Sequence, residues 1–237
     1  RTAAGVNATV LVQAAPTIAE TEFLLATARA SGGVVRGVVG WVDLAAADAI
    51  PVLKRLARDP LLKSVRPMLQ DLADPNWLLR ADVGRALAAL PRLNLHFDAL
   101  VRQRERPALV TMLKQQPELA VVVNHGGKPA IARGEFDAWA DAMAAVAAHP
   151  RVRCKLSGLV TEASPAWTID ELAPYVEHLL ACFGPQRLLW GSDWPVVELA
   201  GGYLRWNAAT VALLAARTAD ERAAILGGNA RRFYGLD

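Results

Sequence analysis

The chain has 237 residues, 53% hydrophobic and 21% charged, a balance that suits a large packed core and excludes an intrinsically disordered chain. Its formal charge is only +3 and its basic residues are dispersed, with neither interleaved aromatics nor a binding module, which argues against nucleic acid as a partner. No apolar run reaches the roughly 18 residues of a membrane span and no signal peptide is visible, so no membrane partner is expected.

Two cysteines, Cys154 and Cys182, imply no disulfide framework, and a reducing cytoplasm is the expected location. Both read as small buried hydrophobes. The densest basic stretch, Arg102-Gln103-Arg104-Glu105-Arg106, reads as a solvated loop or the start of a helix.

In chain order, Ala8 to Gln13 is the first strand, followed by Pro16 and a helix opening at Thr17. Thr17 and Glu20 have the spacing of a capping box, in which the hydroxyl takes a free amide and the carboxylate reaches back. Val34 to Val42 is the second strand, ending in Trp41-Val42-Asp43, and Ala46 to Arg58 the next helix. Lys63 to Leu69 is the third strand and carries Arg66; a helix from Arg80 to Leu90 follows. Asn94 to Val101 is the fourth strand, with His96 and Asp98 on one face, before a helix from Pro107 to Gln116.

Leu119 to Asn124 is a nearly all-valine fifth strand, with His125-Gly126-Gly127-Lys128-Pro129 directly after it. An alanine-rich helix covers Phe136 to Ala148, and Val152 to Ser157 is the sixth strand, with Arg153, Lys155 and Ser157 on one face. Thr168 and Glu171 open a helix that Gly184-Pro185 ends. The seventh strand is Leu188-Leu189-Trp190, running into Gly191-Ser192-Asp193-Trp194-Pro195. Helices near Tyr203 to Ala215 and Ala219 to Leu226 close the chain, the second with a Thr218/Glu221 capping box, and Asn229 to Tyr234 adds a last helical turn.

Strands thus alternate with helices about every 30 residues, the pattern of βα units in an α/β fold. The strands are short and apolar on both faces, as in a parallel sheet covered by helices. No linker interrupts the pattern, so residues 1–237 read as one domain. A TIM (β/α)8 barrel is favoured over an open dinucleotide-binding sheet, because no Gly-x-Gly-x-x-Gly follows the first strand. Seven of the eight βα units are visible.

In such a barrel the C-terminal ends of the strands face the catalytic mouth. Polar groups recur there: Arg66, Asp98, His125, Lys155, Ser157 and Asp193, with Trp41 and Trp194 beside them. A charge is costly in a dry interior, so one shared polar mouth explains them together. Each also has a plainer reading. Asp193 could cap a turn, Arg66 could pair with Asp98, Lys155 could snorkel outward, the tryptophans could be core, and His96 reads as a core histidine. His125 has the strongest functional reading, since two glycines after it let a ligand approach the backbone.

The motifs at these ends resemble a known family. Val12-Gln13-Ala14-Ala15-Pro16-Thr17, Gly40-Trp41-Val42-Asp43, Val65-Arg66-Pro67-Met68, Asn124-His125-Gly126-Gly127-Lys128-Pro129, Cys154-Lys155-Leu156-Ser157-Gly158, Gly191-Ser192-Asp193-Trp194-Pro195 and Gly227-Gly228-Asn229-Ala230-Arg231-Arg232-Phe233-Tyr234 occur in family order. They are similar to the amidohydrolase-related TIM-barrel hydrolases, in the branch of the sugar-acid lactonases. The family's first strand carries a His-x-His pair with no counterpart here. The visible strands then match the second to eighth, and the sequence is expected to start late, since a barrel lacking one strand would expose sheet edges.

The resemblance implies a hydrolase that opens a sugar-acid lactone, a carboxylic ester, with Asp193 as base toward water. His125 would polarise the carbonyl, hold a metal, or both. Arg66, Asp98, Lys155, Ser157, Trp194 and Trp41 would line the substrate pocket. Where binuclear relatives place a carboxylated lysine this chain has Arg66, and where many have a histidine ligand it has Asp98; both argue against two metals. One divalent metal on His125 and Asp193, zinc foremost, or a metal-free cationic pocket, fits better. Decarboxylation on the same barrel and a non-catalytic sugar-acid binder are the alternatives; release of carbon dioxide rather than acid separates the first, and a His-x-His strand in the upstream sequence would count against the second. The oligomeric state and the particular lactone are not legible.

Overall fold

The computed structural model describes residues 5–236. Among them seven strands lie in one sheet in the order β1-β2-β3-β4-β5-β6-β7, and the βα alternation read from the sequence is present throughout. The chain divides into two compact units, one made of residues 5–100, 107–122 and 234–236, the other of residues 101–106 and 123–233.

The first unit contains β1 (Thr9–Val12), α1 (Ile18–Ala30), β2 (Val35–Gly40), α2 (Ala49–Leu56), β3 (Leu62–Val65), α3 (Ala81–Ala89), β4 (His96–Ala99) and most of α4 (Arg106–Gln115). β1 pairs with β2, β2 with β3 and β3 with β4, all in parallel. Val38, Val39, Val65, Phe97 and Ala99 are fully buried, as expected of strands covered on both faces. The strands end earlier than their apolar runs. Arg66 lies one residue beyond β3, and His96 begins β4 rather than sitting within it.

α1 shows how a local signal is modified by its surroundings. Thr17 accepts from the Glu20 amide at 3.1 Å, as the capping spacing requires. Glu20, however, turns its carboxylate to the amides of Ala14 and Ala15 in the preceding turn rather than to Thr17. The acid still neutralises free donors at the helix start, but it fastens the β1–α1 turn in doing so.

The second unit begins at the end of β5 (Val121–Val123) and contains α5 (Asp137–Ala147), β6 (Val152–Leu156), α6 (Ile169–Phe183), β7 (Leu188–Trp190), α7 (Gly202–Leu213), α8 (Ala219–Ala223) and α9 (Asn229–Tyr234), the last turn of α9 returning to the first unit. β6 and β7 pair in parallel, Cys154 opposite Leu188 and Leu156 opposite Trp190. Both expected capping boxes are complete, Thr168 with Glu171 on α6 and Thr218 with Glu221 on α8. β6 alternates buried Val152, Cys154 and Leu156 with partly exposed Arg153 and Lys155, the period of two that separates its faces. Both cysteines are free thiols, and burial pushes the Cys154 thiol above its ordinary range. No helix among the described residues is long and apolar enough to cross a membrane.

Candidate active site

In the second unit, three strand ends bring polar groups together. β5 ends in Asn124 and a 3-10 turn, His125–Gly127. β6 ends in Ser157-Gly158, and β7 runs through Gly191 and Ser192 to Asp193. His125 Nε2 lies 3.6 Å from Asp193 Oδ1, with the two side chains 14% and 13% exposed. The other ring nitrogen, Nδ1, is 3.0 Å from Ser157 Oγ. Asp193, His125 and Ser157, far apart along the chain, thus stand in one row, with Ser157 hydrogen-bonded to one ring nitrogen and the Asp193 carboxylate close to the other.

The backbone beneath this row is constrained. His125 has φ +54° and Asp193 φ +58°, two of four non-glycine residues at positive φ among the described residues. That region is uncommon outside glycine and costs on the order of 1–3 kcal/mol where the residue is held there. The cost is sustained by the surrounding bonds. Arg106, buried at the start of α4, donates from Nε to the Gly127 carbonyl at 3.1 Å, and from NH2 to the carbonyls of Gly127 and Lys128 at 2.8 and 2.9 Å. Trp139 on α5 donates to the Gly126 carbonyl at 2.8 Å. Lys128, also at positive φ, pairs with Glu162 at 2.6 Å.

Arg106 is therefore the helix start that the sequence allowed, but buried rather than solvated. Its guanidinium holds the turn behind His125, and burial lowers its pKa to about 10 from 12.5, against the raising pull of Glu105 and Glu162. A buried cation is tolerated when several acceptors share it. Nothing in the local sequence marks this role, because its partners are backbone oxygens some twenty residues on.

Asp193 is anchored from two sides. The Gly191 amide donates to Leu156 O at 3.1 Å, and Trp206 of α7 donates to Gly191 O at 2.9 Å. Beyond it the Asp193 carbonyl accepts from Val197 N at 2.9 Å. The Trp194–Pro195 bond is cis, and the Trp194 side chain is 66% exposed. Lys155, partly exposed on β6, donates to Oδ1 of buried Asn124 at 3.3 Å.

The remaining sequence candidates lie in the first unit. Arg66 is buried and donates to the Gln13 carbonyl, while Gln13 Nε2 donates to the Arg66 carbonyl at 2.6 Å. Asp98 is fully buried, and both its oxygens accept from Tyr234 Oη at 3.1 Å. Burial, then the charge of Asp98 and its hydrogen bond, push the Tyr234 hydroxyl well above its ordinary ionisation range, against a lowering effect from Arg66. Trp41 is half-buried, its amide and carbonyl both bonded to Thr21 Oγ1 of α1. The Tyr234 partner of Asp98 lies 136 residues away in the chain, and sequence spacing carried no sign of it.

Comparison with known proteins gives a consistent result. The model of the amidohydrolase family matches residues 1–236. An L-fucono-1,5-lactonase from Burkholderia ambifaria is 44% identical over 98% of this chain and 81% of its own length. One from Burkholderia multivorans is 38% identical over 99% and 82%. The crystal structure of an amidohydrolase from Burkholderia multivorans with bound zinc superposes with a TM-score of 0.93 at 36% identity, covering all of this chain and 86% of the other. The α/β fold, a seven-stranded sheet with helices between the strands, is that of the amidohydrolase TIM barrels, and the chain belongs to the amidohydrolase family.

Proposed function

We propose that the protein hydrolyses a sugar-acid lactone of the 1,5-lactone type, with Asp193 and His125 as the reacting pair. The observation that carries this is the 3.6 Å approach of His125 Nε2 and Asp193 Oδ1 on two strained strand-end turns, in a chain close to two L-fucono-1,5-lactonases. Asp193 accepts a proton from water as the water oxygen bonds to the lactone carbonyl carbon. The carbonyl oxygen becomes an oxyanion, which the His125 ring N–H or the Lys155 ammonium stabilises. Collapse re-forms the carbonyl and breaks the bond to the ring oxygen. That oxygen leaves as a hydroxyl with the proton from Asp193, giving the open hydroxy acid.

The same pair suits one divalent ion. Ligand bonds of about 2.0–2.1 Å in a tetrahedral zinc site put neighbouring donors about 3.3 Å apart, near the 3.6 Å seen between these two atoms. The described residues hold no group of three His, Cys, Asp or Glu side chains arranged for a metal; His125 and Asp193, 3.6 Å apart, are the pair that would hold one. A bound ion would lower the pKa of water and polarise the carbonyl. Ser192 and Trp194 frame Asp193, and Lys155 and Trp194 are the side chains proposed to meet sugar hydroxyls, Ser157 being buried against His125.

The test is turnover of a panel of 1,4- and 1,5-aldonolactones, followed by acid release with a pH indicator and corrected for spontaneous opening. Assays are run after chelation and after return of zinc or manganese. Acid release from 1,5-lactones that falls on chelation and returns with metal supports the reading. No acid release from any sugar lactone in metal-loaded protein overturns it.

A further inference from the structure

We propose that Ser157 and Gly158, the two residues after β6, are positioning residues that aim the His125 ring so that Nε2 faces Asp193. The proposal rests on the reading of His125 and Asp193 as the reacting pair. An imidazole has a broad, roughly two-fold preference about its last side-chain torsion, so its backbone alone does not decide which nitrogen points where. Here the choice is made from outside the residue. Nδ1 meets Ser157 Oγ at 3.0 Å, and Ser157 is only 2% exposed, so bulk water does not compete for that hydroxyl.

Gly158 supplies the other wall. A Cβ built there would stand 2.5 Å from Nδ1, 2.6 Å from Cγ and 2.8 Å from Cβ of His125. The ring occupies the volume that any side chain at position 158 would need. Gly158 also has φ +64°, so glycine answers a backbone and a packing demand at one position. Ser157 is itself fenced: a Cβ at Gly191, in the turn leading to Asp193, would lie 3.1 Å from Ser157 Cβ. The turn that carries the acid therefore also limits where the serine can move.

The choice of a hydroxyl has a consequence. A carbonyl at this place would only accept, and would fix the ring proton on Nδ1. A serine hydroxyl donates or accepts, so the bond to Nδ1 persists whichever ring nitrogen carries the proton. His125 keeps its aim while Nε2 serves either as an N–H toward an oxyanion or carboxylate, or as a lone pair toward a cation.

The experiment compares the unaltered protein with Ser157→Ala, Ser157→Thr and Gly158→Ala. For each, the His125 ring nitrogen resonances are recorded without metal, the dissociation constant for zinc is measured by competition with a chromophoric chelator, and a thermal melt reports folding. Partners that orient a metal-binding histidine change metal affinity by roughly 10–100-fold when removed. Ser157→Ala and Gly158→Ala are expected to fold, to weaken zinc binding by that factor and to shift the His125 nitrogen resonances. Ser157→Thr, which restores the hydroxyl, is expected to recover both readouts. Unchanged nitrogen resonances and unchanged zinc affinity in folded Ser157→Ala would overturn the proposal. If the unaltered protein binds no zinc, the metal reading falls, and the nitrogen resonances alone decide whether Ser157 positions the ring.

Discussion

Replacing Asp193 by asparagine isolates its charge from its shape. The side chain is 13% exposed, with Oδ1 3.6 Å from His125 Nε2. Asparagine is nearly isosteric and, with aspartate, among the non-glycine residues that best tolerate the φ of +58° found here. The fold should therefore lose less than about 1 kcal/mol. Alanine at this φ would add strain of roughly 1–2 kcal/mol, and its result would mix two effects. Removing a general base costs roughly 10²–10⁴ in rate, or about 2.7–5.5 kcal/mol of barrier. The assay is lactone hydrolysis at saturating metal, beside a thermal melt. A loss of two to four decades in turnover with the melt little changed is expected. Turnover within tenfold of the unaltered protein would remove Asp193 from the role of base.

Other expectations follow from the same geometry. Arg106→Lys replaces a fork that spans the carbonyls of Gly127 and Lys128 with a point charge; about 2–3 kcal/mol of stability should be lost in urea denaturation, and a loss under 0.5 kcal/mol would show that the clamp on the His125 turn is dispensable. Tyr234→Phe takes away the hydroxyl that donates to buried Asp98, at a cost of about 1–3 kcal/mol near neutral pH. Because the folded chain raises the Tyr234 pKa, its contribution is complete below the unfolded value of about 10 and declines as pH rises beyond it toward the folded value. The phenylalanine variant should thus lose stability less steeply above pH 10, and parallel curves would contradict this. Thr168→Ala removes the hydroxyl that accepts from Glu171 N at 3.3 Å; about 1 kcal/mol and a melting decrease of roughly 2–4 °C are expected, and an unchanged melt would mean the α6 cap is redundant.

Features that depend on near neighbours were legible in the sequence. The threonine-glutamate boxes at α6 and α8, the valine run of β5 and the glycine-proline stop after α6 each rest on residues a few positions apart. Strand ends were less so: the apolar run holding β3 extends to Leu69, yet the strand stops at Val65, before Arg66. Pairing ends where neighbouring strands end, and that is not written in the run itself. The partial capping box of α1 has a similar origin, since the preceding turn offered Glu20 two nearer amides.

The sequence by itself determined the βα rhythm, the helix starts and the chemical types standing at the strand ends, because hydrophobic period and capping are local matters of backbone geometry and side-chain reach. Only the tertiary structure decided which of those groups meet. It set Ser157 against Nδ1 of His125, turned the opposite nitrogen to Asp193, left room for the ring at Gly158 and carried Arg106 inward to the carbonyls behind it. Distances of about 3 Å between residues separated by tens of positions follow from the register and crossing of packed elements, a property of the whole fold that no short window of sequence contains.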